Sequence, residues 1–222
     1  MLVVPLALAL LLPGGAQAHG PARSDAVRCP PAHAHVRLRG ARAVLYTLSA
    51  GGEGVVAGCV RNGRRGVRLG VEYTCEGGGV ANCEGINEEA LAGTMVAYQE
   101  AGDFISGEDL LGSEDLVVVR SLRTGKIVHR APTGSPPVPR KGFVGVGAVT
   151  TIVVGETGSV GWIVLNRERS KPGSRYYEVH SIDRGGRRLL ASGLSIQPNS
   201  LRLRGRVLSW KEAGRRRAVA LR

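Results

Sequence analysis

Ser159-Val160-Gly161-Trp162-Ile163-Val164-Leu165 is a short run of β-branched and aromatic residues that opens directly after Gly158. The same unit occurs three more times. Ala43-Val44-Leu45-Tyr46-Thr47-Leu48 follows Gly40, Thr94-Met95-Val96-Ala97-Tyr98 follows Gly93, and Arg206-Val207-Leu208-Ser209-Trp210 follows Gly205. Each carries one aromatic residue four to six positions beyond its glycine. Val, Ile, Tyr and Trp suit a pleated, half-buried surface, and glycine supplies the positive φ of a tight turn. The unit is a turn feeding a strand.

A second unit recurs between these runs, a strand, a polar Gly-containing turn and another strand. It reads Cys59-Val60-Arg61-Asn62-Gly63-Arg64, then Ser121-Leu122-Arg123-Thr124-Gly125-Lys126-Ile127-Val128. It returns as Ser181-Ile182-Asp183-Arg184-Gly185-Gly186-Arg187-Arg188-Leu189-Leu190 and, shortened, as Ala213-Gly214-Arg215-Arg216-Arg217-Ala218-Val219. Gly63 and Gly125 are 62 residues apart, Gly125 and Gly186 are 61 apart, so the spacing itself repeats. Asn-Gly and Gly-Gly are hairpin signals. No 3.6-residue stripe competes, except the short stretch Asn87 to Ala92.

Composition agrees. The 222 residues include 33 Gly and 11 Pro, a poor match to a long helical bundle, and the glycines lack the triplet period of collagen. With 43% hydrophobic residues the chain can bury a core. The expected fold is all-β, built from antiparallel hairpin repeats in a propeller-like arrangement of about four blades of about 45 residues each. A β-sandwich is the alternative.

Residues 1–18 read as a targeting segment and not as part of the fold. Leu2 to Leu12 is apolar apart from Pro5, helix-breaking Pro13-Gly14-Gly15 follows, and Ala16-Gln17-Ala18 has the small-x-small form of a cleavage site. No Lys or Arg precedes the apolar run. The run is also too short to span a bilayer, which takes about 20 residues. The expected organisation is a signal peptide at 1–18, an N-terminal tail at 19–35 and a propeller-like domain at 36–222, with the mature protein secreted or extracytoplasmic. In that compartment the even set Cys29, Cys59, Cys75 and Cys83 points to disulfides. Four cysteines allow three connectivities; short spacing favours Cys75–Cys83, leaving Cys29–Cys59 to pin the tail onto the first hairpin. No C-x-x-C pair is present to suggest zinc.

Several stretches also carry a family likeness. Asn199-Ser200-Leu201-Arg202-Leu203-Arg204-Gly205-Arg206-Val207-Leu208-Ser209-Trp210, with Gly214-Arg215 beyond it, resembles the C-termini of uncharacterised secreted bacterial proteins with propeller-like repeats. Ala92 to Tyr98, Val118 to Lys126 and Tyr177-Glu178-Val179-His180 are similar to their hairpins. The resemblance implies a fold and a compartment, and it brings no catalytic residues. The chain departs from that pattern in a long acidic stretch around Phe104 to Asp115.

Charge divides the chain. The net charge is +12, yet no Lys or Arg lies between Arg68 and Arg120, where eleven of the 18 acids fall. Arginine supplies 26 of the 30 bases, which suits bidentate contact with phosphate, sulfate or carboxylate. Either the two kinds of segment pair inside the fold, or the basic one faces a polyanion. Arg202, Arg204 and Arg206 alternate, so a strand would present them as a ladder on one face, and Arg215, Arg216 and Arg217 could extend it. With few aromatic residues and no nucleic-acid-binding signature, nucleic acid is not the expected partner. An anionic cell-envelope polymer or another protein is.

Enzyme signatures are missing. The chain has no G-x-S-x-G elbow, no H-E-x-x-H, no Walker sequence and no complete dinucleotide fingerprint, so no cofactor is expected. Asp103, Glu108, Asp109, Glu114 and Asp115 match no calcium-loop spacing. One alternative belongs to another class. Cleavage after Ala18 would make His19 the N-terminus, and its amine and imidazole could hold copper with a second histidine, as in secreted copper-dependent polysaccharide monooxygenases. His33 and His35 are the nearest candidates for that second ligand, and as His-x-His they would share a face of an extended strand. The expectation is therefore an exported, non-enzymatic β-repeat binding or scaffolding protein, with a copper-dependent oxidative enzyme as the alternative.

Overall fold

The computed structural model describes residues 29–63, 65–76, 80–106, 109–134, 143–144, 147–167 and 169–222. Apart from one 3-10 turn at Pro198–Ser200, their regular structure is strand. The first sheet is an antiparallel meander of β1 (His35–Arg39), β2 (Ala43–Ala50), β3 (Glu53–Val60) and β4 (Gly66–Val71). The second opens with the short β5 (Thr74–Glu76) and continues through β6 (Val80–Ala92), β7 (Met95–Ser106), β8 (Asp109–Glu114), β9 (Leu116–Ser121) and β10 (Ile127–Pro132). A two-residue β11 (Phe143–Val144) lies parallel to β8. The third sheet is β12 (Ala148–Val154), β13 (Val160–Leu165), β14 (Tyr177–Asp183) and β15 (Gly186–Gly193). The fourth is β16 (Arg202–Arg204), β17 (Val207–Glu212) and β18 (Arg215–Ala220).

The all-β, antiparallel class is as expected, and the repeat is real. The first and third sheets follow one plan, and the second follows it through β6-β7-β9-β10. Its departure is local. One half of β7 pairs with β9, while the other half runs on to pair with β8, so the acidic stretch forms a hairpin extension. The Gly-containing turns at Gly63, Gly125 and Gly185-Gly186 all join third to fourth strands, which explains their even spacing. Gly214 does not belong with them: it joins the second and third strands of the three-stranded fourth sheet.

Tyr46, Tyr98, Trp162 and Trp210 all sit in the second strand of their sheets, each buried. Their side chains face the same way. Tyr98 packs with Leu45, Val56 and Leu69 of the first sheet, and Trp162 with Ala97, Val117 and Val119 of the second. Trp210 packs with Ile163, Tyr177 and Val179 of the third. Each aromatic thus fills the seam with the preceding sheet. One core cluster occupies each of the three seams, and at about 1.5–3 kcal/mol per buried aliphatic side chain these seams hold the stack together. Where the third and fourth sheets meet, a Cβ on Gly161 would stand 2.5 Å from a Leu208 methyl, so close approach requires glycine there.

Among the described residues no sheet precedes the one that holds Tyr46. That place is taken by the chain before β1: Cys29 and Ala34 pack over Tyr46, Leu48, Ala57 and Cys59, and a Cys29–Cys59 disulfide fixes them. Part of the expected tail, residues 29–34, is therefore a cap on the first sheet. The expected Cys29–Cys59 pair is present. The side chains of Cys75 and Cys83 lie outside the described residues, although backbone register sets the two positions opposite each other. Residues 1–18 and His19 lie outside them as well.

Among the described residues no core cluster joins the fourth sheet to the first. The turns between first and second strands do converge. Arg42 of the first sheet comes within 3.8 Å of Glu156 of the third, and Gly93 of the second abuts the same Glu156.

The last residues are tied back to the third sheet through Asp183. Its carboxylate accepts from the backbone N–H of Gly185 at 2.7 Å and of Arg222 at 2.8 Å, and meets the Arg188 guanidinium at 2.6 Å. Burial pushes this carboxyl up, but the two N–H donors and Arg188 together hold it below the usual aspartate value. A depressed carboxyl stabilises the fold above its ordinary pKa and loses that contribution as pH falls through the depressed value. We expect Asp183→Asn to flatten the loss of stability below about pH 4. The check is urea midpoints measured from pH 3 to pH 7; parallel pH profiles for the two proteins would refute this role.

Candidate functional site

Among the described residues no sheet packs on the far face of the fourth sheet. In β17 and β18 the residues pointing toward the third sheet include Leu208, Trp210 and Val219. Register places their neighbours on the other side: Arg202 is opposite Ser209, which is opposite Ala218, and Lys211 is opposite Arg216. Corresponding positions in earlier sheets, such as Val56, Val117, Ile163 and Val179, are buried because another sheet covers them. Here they are Arg202, Arg204, Lys211 and Arg216, all exposed. They surround a shallow hollow of about 510 Å³ that Gln197, Pro198, Asn199, Ser200, Ser209 and Trp210 also line.

The rim is partly fixed. Arg202 donates Nη1 to the backbone carbonyls of Asn199 at 3.1 Å and Leu201 at 2.6 Å. Arg216 donates Nη2 to Ser209 Oγ at 3.1 Å, and the Lys211 backbone N–H donates to Ser200 Oγ at 2.8 Å. A guanidinium has five donors, so each arginine keeps most of its capacity. Among the described residues no carboxylate lines the hollow. Lys211 and Arg216 stand directly opposite each other, an arrangement that destabilises a sheet unless an anion lies between. Such a face can take up phosphate, sulfate or carboxylate oxygens from a neighbouring polymer.

The structure sorts the six expected arginines. Arg202, Arg204 and Arg216 share this face, and Lys211, which the sequence analysis passed over, completes it. Arg206 is in the β16–β17 turn, where its Nε donates to the Leu221 carbonyl at 3.1 Å. Arg217 lies on the Trp210 side and meets Glu212 at 3.3 Å, while Arg215 follows the β17–β18 turn. The Arg-x-Arg alternation identified part of the ladder. Lys211 and Arg216 join it only through strand register.

The acidic stretch does not neutralise this face. Glu72 and Glu89 pair with Arg37 at 2.8 and 2.6 Å, and Glu100 and Glu114 approach Arg130 at 3.2 and 3.7 Å. Asp115 accepts from Gln99 at 3.1 Å. The side chains of Asp103, Glu108 and Asp109 lie outside the described residues. No group of three or more His, Cys, Asp or Glu that could hold a metal ion occurs among the described residues. His33 and His35 are both exposed, in the capping segment and at the start of β1.

Sequence reasoning missed a buried polar pair. Glu178 and His180 alternate on β14, so both side chains point toward the second sheet. His180 Nε2 lies 2.8 Å from Glu178 Oε2, Asn166 donates to Glu178 Oε1 at 3.0 Å, and Trp162 stacks on His180 with 5.2 Å between ring centres. Burial lowers the His180 pKa, and the bond to Glu178 partly opposes that. Both side chains are about 1% exposed, and the groups they meet, Asn166 and Trp162, belong to β13 and the residue that follows it. The signal was there in the alternating polar positions of an apolar strand.

No protein-family model, curated sequence or solved structure matches the chain. Among the described residues no helix is long and apolar enough to cross a membrane.

Proposed function

We propose that this is an exported, non-enzymatic, propeller-like repeat protein that holds anionic envelope polymers on the open face of its fourth sheet. One observation carries the reading: the opposed Lys211 and Arg216 lie beside Arg202 and Arg204 in a hollow that no carboxylate among the described residues lines. Along an extended strand, side chains on one face recur about every 6.6 Å, so Arg202 and Arg204 present two forks to successive charges of a linear polyanion. The apolar N-terminal run and the Cys29–Cys59 bond suit an oxidising, extracytoplasmic setting.

Binding of this kind weakens with salt, as screening shortens from about 10 Å at 0.1 M to about 3 Å at 1 M. We expect Arg202→Ser/Arg204→Ser/Arg216→Ser to leave a dextran sulfate column at clearly lower salt than the unaltered protein. The control changes Arg215 and Arg217, which lie off this face, and should elute later than the triple variant. Coincident elution of the triple variant with the unaltered protein would remove the proposed face.

A further inference from the structure

Antiparallel meanders place every turn between first and second, and between third and fourth, strands at one end of a sheet. Contacts between sheets show that these ends lie together. Arg42 meets Glu156, Gly125 lies against Val67, Gly158 against Val128, and Gly185 against Arg222. Gly155, Glu156, Gly205 and Arg206 line one hollow of about 430 Å³.

The turns gathered there are basic. The first sheet contributes Arg42, Arg61 and Arg65, the second Arg123 and Lys126, the third Arg184 and the fourth Arg206, all exposed. Among the described residues of these turns the single exposed carboxylate is Glu156, already near Arg42. The same end carries exposed aliphatic side chains. Ile127 and Val128 open β10 directly after Lys126, and Val207 opens β17 directly after Arg206, with 49%, 39% and 44% of their surface accessible. Ile127 or Val128 could not be accommodated by a soluble polyanion, which offers only charge. A bilayer surface offers anionic headgroups and, just beneath them, apolar chains.

We propose that this turn end docks on an anionic phospholipid surface, with the arginines and Lys126 at headgroup phosphates and Ile127, Val128 and Val207 at the acyl boundary. Val207 pairs with Arg204 at the border of the polymer-binding face, the other residues named lie apart from it, and the proposal does not depend on that face. The Cys29–Cys59 bond adds one geometric point: Cys59 pairs with Gly66 across the β3–β4 turn, so the described chain also enters at this end.

The test is sedimentation of the purified protein with vesicles of phosphatidylglycerol and phosphatidylcholine, compared with vesicles of phosphatidylcholine alone. Each base near an anionic surface is worth roughly fivefold in partitioning, so Arg123→Gln/Lys126→Gln/Arg184→Gln should bind the anionic vesicles on the order of a hundredfold more weakly. Ile127→Asn/Val128→Asn should lose roughly tenfold on vesicles while eluting unchanged from dextran sulfate. All five positions are exposed, and circular dichroism is the check that the variants fold. Unchanged vesicle binding of the first variant, or equal binding to both vesicle types, would overturn the proposal. So would an aliphatic variant that binds vesicles as the unaltered protein does, which would leave a surface that recognises charge alone.

Discussion

Replacing Trp162 with alanine should cost about 3–5 kcal/mol from lost packing and the cavity left behind. The indole is fully buried in the seam between the second and third sheets, so little can collapse into its place. Two further losses follow. Trp162 Nε1 donates to the Thr133 carbonyl at 2.6 Å, worth about 1 kcal/mol, and the ring covers the buried His180–Glu178 pair. Domains of this kind are stable by about 5–15 kcal/mol, so this single change approaches the whole margin. Trp162→Phe should recover most of it, because it keeps a ring over His180 and gives up the hydrogen bond. Trp210 offers a contrast, since its buried Nε1 has no acceptor among the described residues. Its change to Phe should therefore be nearly neutral. Urea unfolding read by circular dichroism decides the matter. A Trp162→Ala protein within 1 kcal/mol of the parent would contradict the packing described for the seam.

Cys29→Ala/Cys59→Ala should be the second large effect. The bond closes a loop with a sequence separation of 30, and the chain-entropy relation assigns such a loop roughly 3–4 kcal/mol. The structural consequence is local as well. Without the bond, residues 29–34 lose their anchor over Tyr46 and Ala57, and the outer face of the first sheet opens to water. The double variant should therefore show both a lower urea midpoint and greater binding of a hydrophobic dye under native conditions. A drop in stability with no increase in dye binding would mean that the bond acts on the unfolded chain and that the segment caps the sheet unaided. No change in either would contradict the capping role.

These effects trace to features of unequal legibility. Val160 to Leu165 announces a strand because its residue types and its glycine act within a few residues of one another. The equal spacing of Gly63, Gly125 and Gly186 likewise reports a local event, the turn between third and fourth strands. Arg202 and Arg204 could be placed on one face because alternation is a property of a single strand. Lys211 and Arg216 could not, because their meeting depends on the register between β17 and β18. The charge layout left two readings open, pairing between the segments or a polyanion-facing surface; four of the eleven acids do pair with Arg37 and Arg130 of the basic segments, and only the fold shows which.

By itself the sequence determined the strands, their turns and the recurring aromatic position, since each rests on short-range sterics or on counting, while it only favoured Cys59 among the possible partners of Cys29. Tertiary structure decided which side each aromatic faces, what covers Tyr46, and which bases remain in solvent. A side chain on a strand has two faces open to it, and only the sheet packed on one of them distinguishes core from surface. The fourth sheet shows this most plainly: its outer residues are charged where no sheet among the described residues covers them.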